Sequence, residues 1–131
     1  MILISCVDDA LGMAFLGRRV SRDSTVTERI LALTAGKRLL ATPYSARLLG
    51  DGVLYAEDPA GTAKKGDFVL LENIPVPTRD VERILLFRWN RAYPSDLKFP
   101  LESFPLRLLS TEEFSGTSHE KITLEEYEVL S

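Results

Sequence analysis

The sequence predicts an α/β fold in a single domain, residues 1–131: a mixed, largely parallel sheet flanked by helices, with a C-terminal antiparallel hairpin. Two observations carry this. Early in the chain, short apolar runs alternate with segments whose apolar residues recur at helical spacing, the pattern of parallel strands joined by right-handed crossovers. Late in the chain the apolar runs lie close together, which suits antiparallel pairing.

The elements follow in order. Ile2-Leu3-Ile4-Ser5-Cys6-Val7 reads as a buried strand that runs out into a turn at Asp8-Asp9 and Gly12. Met13 to Val20 reads as a loop, continuing into a basic stretch with Gly17, Arg18, Arg19 and Arg22. Asp23, Ser24 and Thr25 can each cap a helix, and Val26, Ile30, Leu31 and Leu33 give it an apolar stripe that ends at Ala35-Gly36. Lys37 to Ala41 is a second strand, and Thr42-Pro43 opens a second helix running to about Leu49, with Gly50-Asp51-Gly52 as its exit. Val53 to Ala56 is a third strand, Glu57 to Gly66 an exposed loop, and Asp67 to Leu71 a fourth strand. Val81 to Trp89 is the most hydrophobic strand. Asn90 to Pro105 is irregular, Leu106 to Phe114 is a strand, and Gly116 to Lys121 is a turn. The tail has two readings. Thr123-Leu124-Glu125-Glu126 resembles a capping box, whereas Glu125 to Leu130 suits a strand, which is favoured.

Composition narrows the functional classes. Hydrophobic residues are 45% and charged residues 27% of the chain, a globular balance. No apolar run is long enough to span a bilayer, and the single cysteine, Cys6, forms no internal disulfide, so a cytoplasmic location is expected. Residues 17–47 carry seven Lys/Arg against two acids, whereas residues 111–131 carry six Glu against one Lys. Two solvated faces account for this, and an anion site near the N-terminal loop is the sharper reading.

Several motifs resemble dihydrofolate reductase. Val7-Asp8-Asp9-Ala10-Leu11-Gly12-Met13 through Gly17 follows that family's first strand and glycine turn. Thr34 to Ala41 is similar to its helix end and second strand, and Asp96-Leu97-Lys98-Phe99-Pro100 to its late Asp-x-x-Phe-Pro. The resemblance implies a shortened, divergent member of the fold. Carried across, the family's catalytic acid falls on Val26, its strand threonine on Phe87, and its loop Pro-Trp on Val20-Ser21. The cofactor motif Gly-Arg-x-Thr falls on Thr42-Pro43-Tyr44-Ser45, and the Gly-Gly that admits the dinucleotide falls on Glu72-Asn73. The resemblance therefore implies the scaffold without the reductase chemistry and with no cofactor.

The expected ligand-binding residues are Arg18, Arg19, Arg22, Asp23, Tyr44 and Ser45, around a cleft between the Met13 to Val20 loop and the following helix. No catalytic or metal-ligating set is expected. Asp8-Asp9 suits a turn, Cys6 a core position, and His119, beside Ser118 and Glu120, a turn residue. One histidine cannot build a zinc hydrolase centre. Phe87 and Trp89 share one strand face and Arg88 takes the other, a core pattern with an exposed arginine; no nucleic-acid or membrane partner is expected. The expected function is a non-catalytic or repurposed domain binding a small anionic or nucleotide-like ligand, or a protein partner. The alternatives are a degenerate NAD(P)H-dependent reductase and a structural homodimer built through an exposed sheet edge.

Overall fold

The computed structural model describes residues 1–131 and is organised on β1 (Ile2–Val7). The remaining elements are β2 (Gly12–Phe15), β3 (Arg18–Arg19), α1 (Ser24–Leu33), β4 (Leu39–Ala41), α2 (Pro43–Leu49), β5 (Leu54–Tyr55), the single turn α3 (Pro59–Thr62), β6 (Phe68–Leu70), β7 (Arg83–Arg88), β8 (Leu97–Lys98), β9 (Leu106–Phe114) and β10 (Ile122–Val129). Seven strands form one sheet in the order β5-β4-β6-β1-β7-β10-β9. The first five are mutually parallel; β10 runs antiparallel to both β7 and β9. The expected mixed sheet and late hairpin are both present.

β1 and β7 are almost uninterrupted apolar runs because both faces of the sheet are covered. Ile2, Ile4, Leu85 and Phe87 pack on one face against Val26 and Ile30 of α1 and Leu49 of α2. Leu3, Val7, Ile84 and Leu86 pack on the other face against Met13, Phe99 and Phe104. A fully buried Phe87 contributes roughly 1.5–3 kcal/mol relative to an exposed ring. Val26 and Phe87, the two positions that the resemblance pairs, are both buried in the same apolar cluster.

Asp8 ends β1. Its Oδ1 accepts from the N–H groups of Ala10 (2.9 Å) and Gly12 (2.6 Å), and its Oδ2 from Tyr93 N–H (2.9 Å). Gly12 is needed there, because a Cβ would stand 2.5 Å from Ser95 Oγ.

Four details differ from the sequence reading. The Met13 to Val20 segment is a hairpin, β2 and β3, turning at Leu16 (φ 51°) and Gly17 (φ 78°), and β2 also pairs with β8. These strands are two to four residues long, too short to show an alternating pattern. Proline at N1 and the Asp58 cap wind one turn, α3, within the expected loop. The tail is a strand that starts at Ile122, since pairing with both β7 and β9 outweighs the local capping-box propensity. Arg88 is half-buried and ion-paired with Glu125 instead of exposed.

The charge blocks meet where Arg29 of α1 grips Glu112 of β9 with two bonds, at 3.0 and 2.7 Å. The outer edge of the sheet is β9, which exposes Leu108 and Leu109 but carries a bulge opposite Glu126/Tyr127. No helix is long and apolar enough to cross a membrane.

Candidate functional site

The expected site lies at the carboxyl ends of β1 and β6, beside the starts of α1 and α2. The chain itself fills much of it. Arg19, on β3, reaches Glu72 just beyond β6 with Nε to Oε2 at 2.8 Å and Nη2 to Oε1 at 3.0 Å. Glu72 is buried, and its Oε1 also accepts from Ser45 Oγ at 2.6 Å. Tyr44 completes the set: its hydroxyl accepts from Arg19 N–H at 3.0 Å, and its ring lies 4.4 Å below the guanidinium. α2 can present both side chains because Thr42 caps it and Pro43 fixes its first turn.

Beneath this pair, Cys6, Val26, Leu70, Glu72 and Trp89, with Arg22 and Leu48, line a small cavity. It holds only about 10 Å³, near the lower limit for one water. Burial first, and then the Glu72 carboxylate, push the Cys6 thiol far above its ordinary range, so it is no thiolate nucleophile.

A second polar network adjoins the first. Asp23 caps α1 by accepting from Thr25 N–H (2.9 Å), and its carboxylate also accepts from Thr117 N–H (2.9 Å), Ser118 N–H (2.8 Å) and His119 Nδ1 (3.0 Å). Burial alone would raise the Asp23 pKa, but these donors together hold it far below the usual carboxylate range. Gly116 passes so close that a Cβ would meet Asp23 Oδ2 at 2.5 Å. His119 stacks on Trp89 with centroids 4.5 Å apart, and its Nε2 lies 3.0 Å from Ser21 Oγ and 3.1 Å from Tyr93 Oη.

The six expected residues therefore divide. Arg19, Tyr44 and Ser45 are brought together, but around Glu72; Arg19 and Ser45 direct their polar groups inward. Asp23 is buried and serves His119 and the cap. Arg18 and Arg22 remain exposed. A residue absent from the expected set, Arg47, joins Arg19, Arg22, Tyr44 and Leu48 around an open depression of about 440 Å³. His119, expected as a turn residue, lies in the β9–β10 connection and is buried; nothing local to Ser118-His119-Glu120 signals the burial, because Asp23 and Ser21 lie almost a hundred residues away and Trp89 and Tyr93 on other segments.

Comparison with solved structures settles the architecture. Dihydrofolate reductase from Enterococcus faecalis, solved in complex with NADP(H) and RAB-propyl, superposes with a TM-score of 0.68 over 99% of this chain and 96% of that one. The chain has a dihydrofolate-reductase-like fold. Identity is 12%, so the likeness speaks for the fold alone. No family model matches, and no curated protein does.

In this dihydrofolate-reductase-like chain, the positions that the resemblance assigns to a cofactor are engaged with the chain's own side chains. Where the resemblance calls for two glycines, Glu72 is buried and held by Arg19 and Ser45. Ser45, the remaining counterpart of the cofactor motif's hydroxyl, donates to that carboxylate. Val26 and Phe87 offer no proton to the space between α1 and β7.

Proposed function

We propose that the chain is a dihydrofolate-reductase-like domain without hydride-transfer activity that binds a small anionic or nucleotide-like ligand over Arg22, Arg47 and Tyr44. One observation carries the reading: two guanidinium groups without an acidic partner border one depression. Arg19, Arg29, Arg38, Arg83, Arg88 and Arg107 all pair with carboxylates, whereas Arg22 and Arg47, like Arg18, Arg79 and Arg91, pair with none; Arg22 and Arg47 are the two of these that share a depression. A depression of about 440 Å³ is within the range of small-molecule sites. The Tyr44 ring and the Leu48 side chain supply an apolar wall beside the cations. Arg18 adds positive charge on the neighbouring β3. Ion-paired Arg19 also borders the depression, its charge neutralised by Glu72, and positions Tyr44.

Isothermal titration with pyrophosphate and AMP tests this. Arg22→Ala and Arg47→Ala are expected each to weaken binding about tenfold or more, a loss of about 1.4 kcal/mol, with thermal unfolding unchanged. Equal affinity in both variants, or no heat with the wild-type chain, would remove the face from consideration. The reading takes the cytoplasm as its setting. A homodimer through β9 has less support, because the bulge and the charged side chains along that edge oppose continuous pairing.

A further inference from the structure

Ser21, His119 and Asp23 stand in a line whose chemistry the preceding reading does not use. Asp23 Oδ2 lies 3.0 Å from His119 Nδ1, and His119 Nε2 lies 3.0 Å from Ser21 Oγ. With the carboxylate ionised, Nδ1 carries the imidazole proton, so Nε2 presents a lone pair to the serine. Tyr93 Oη stands 3.2 Å from Ser21 Oγ and 3.1 Å from His119 Nε2; where it donates to the serine, the serine's own proton is free to point at His119. Asp23 and His119 are buried, whereas Ser21 and Tyr93 are half-exposed, so the base is shielded from water.

Two further observations bear on that chemistry. The backbone N–H groups of Ser21 and Arg22 donate to no group of the chain. Trp89, which stacks on His119 and lines the same cavity as Ser21, has a buried indole N–H without a partner. Unpaired donors beside a serine–histidine pair are what a developing oxyanion requires.

We propose that Ser21, His119 and Asp23 form a nucleophilic centre for acyl transfer from small esters. Ser21 Oγ bonds to the ester carbonyl carbon while its proton passes to His119 Nε2. The carbon–oxygen bond to the alcohol then breaks, and His119 returns the proton to that alcohol. Water removes the acyl group from Ser21 by the same two proton transfers, releasing the carboxylic acid. The indole N–H and the free backbone donors are the groups available to the carbonyl oxygen. The cavity beside Ser21 holds only about 10 Å³, so an ester enters only if lining side chains such as Arg22 and Leu48 move. Arg22 and Arg47 would favour an anionic ester, a preference that rests on the proposed anion site; the nucleophilic step does not.

A neutral alkyl fluorophosphonate tests the centre without recourse to those arginines. Its phosphorus accepts Ser21 Oγ as fluoride leaves, and peptide mass spectrometry locates the adduct. Ser21 is expected to label about a hundredfold faster than the exposed Ser24 and Ser115, and about tenfold or more slower in His119→Gln than in wild type. Labelling of Ser21 at the rate of Ser115 in the wild-type chain would overturn the proposal, as would an undiminished rate in folded His119→Gln. The wild-type comparison stands whether or not that variant folds. Failure of pyrophosphate binding with rapid Ser21 labelling would reject only the anionic preference.

Discussion

Arg19→Ala is expected to destabilise the chain by about 3–5 kcal/mol, because it leaves the Glu72 carboxylate buried without its cation. Glu72 is 7% exposed and Arg19 18%, so water reaches neither freely. Ser45 Oγ is the one remaining donor to Glu72, and a single hydroxyl does not replace a two-pronged guanidinium. The ring of Tyr44 also loses its cation. Chemical denaturation checks the magnitude. The double variant Arg19→Met/Glu72→Leu should recover most of the loss, since removing both members of a buried pair is commonly near neutral. Wild-type stability in Arg19→Ala alone would mean that the pair does not close the cleft.

Asp23→Ala should cost about 4 kcal/mol or more, from a lost helix cap together with unpaired Thr117, Ser118 and His119 donors. The expected pH dependence has a definite sign. Asp23 is held below its ordinary value of 3.8 in the folded chain, so its contribution is present above that value and is lost as pH falls below it. The stability difference between wild type and Asp23→Ala, measured by urea unfolding, should therefore be constant near neutrality and shrink as the solution is taken from about pH 5 to pH 2. A gap that widens on acidification would contradict the hydrogen-bond assignment around His119.

The scaffold was legible because its signals are local. The break from Val7 to Asp8, the Thr42-Pro43 start of α2 and the apolar run into Trp89 each follow from residues within a few positions of one another. β2, β3 and β8 were not legible, since each is defined by pairing with distant chain and not by its own pattern. The candidate site shows the same division. Arg19 and Glu72 were both conspicuous in the sequence, one as a ligand for anions and the other as an obstacle to phosphate. Their mutual pairing across 53 positions reverses the role of the arginine, and no local feature of either segment encodes it. Ser21, Asp23 and His119 are likewise assembled by the β9–β10 hairpin, whose connecting turn delivers the histidine to the start of α1. Arg47 gave no signal in the sequence because an exposed cation in a helix is unremarkable until its neighbours are known.

Fluorescence titration with NADPH tests the central claim most directly, that the inherited cleft is filled by the chain's own side chains. With Glu72 held between Arg19 and Ser45, and about 10 Å³ left beneath them, no micromolar binding is expected. Saturable micromolar binding that Arg22→Ala leaves unchanged would contradict it, because the dinucleotide would then have to enter the space that Arg19 and Glu72 occupy.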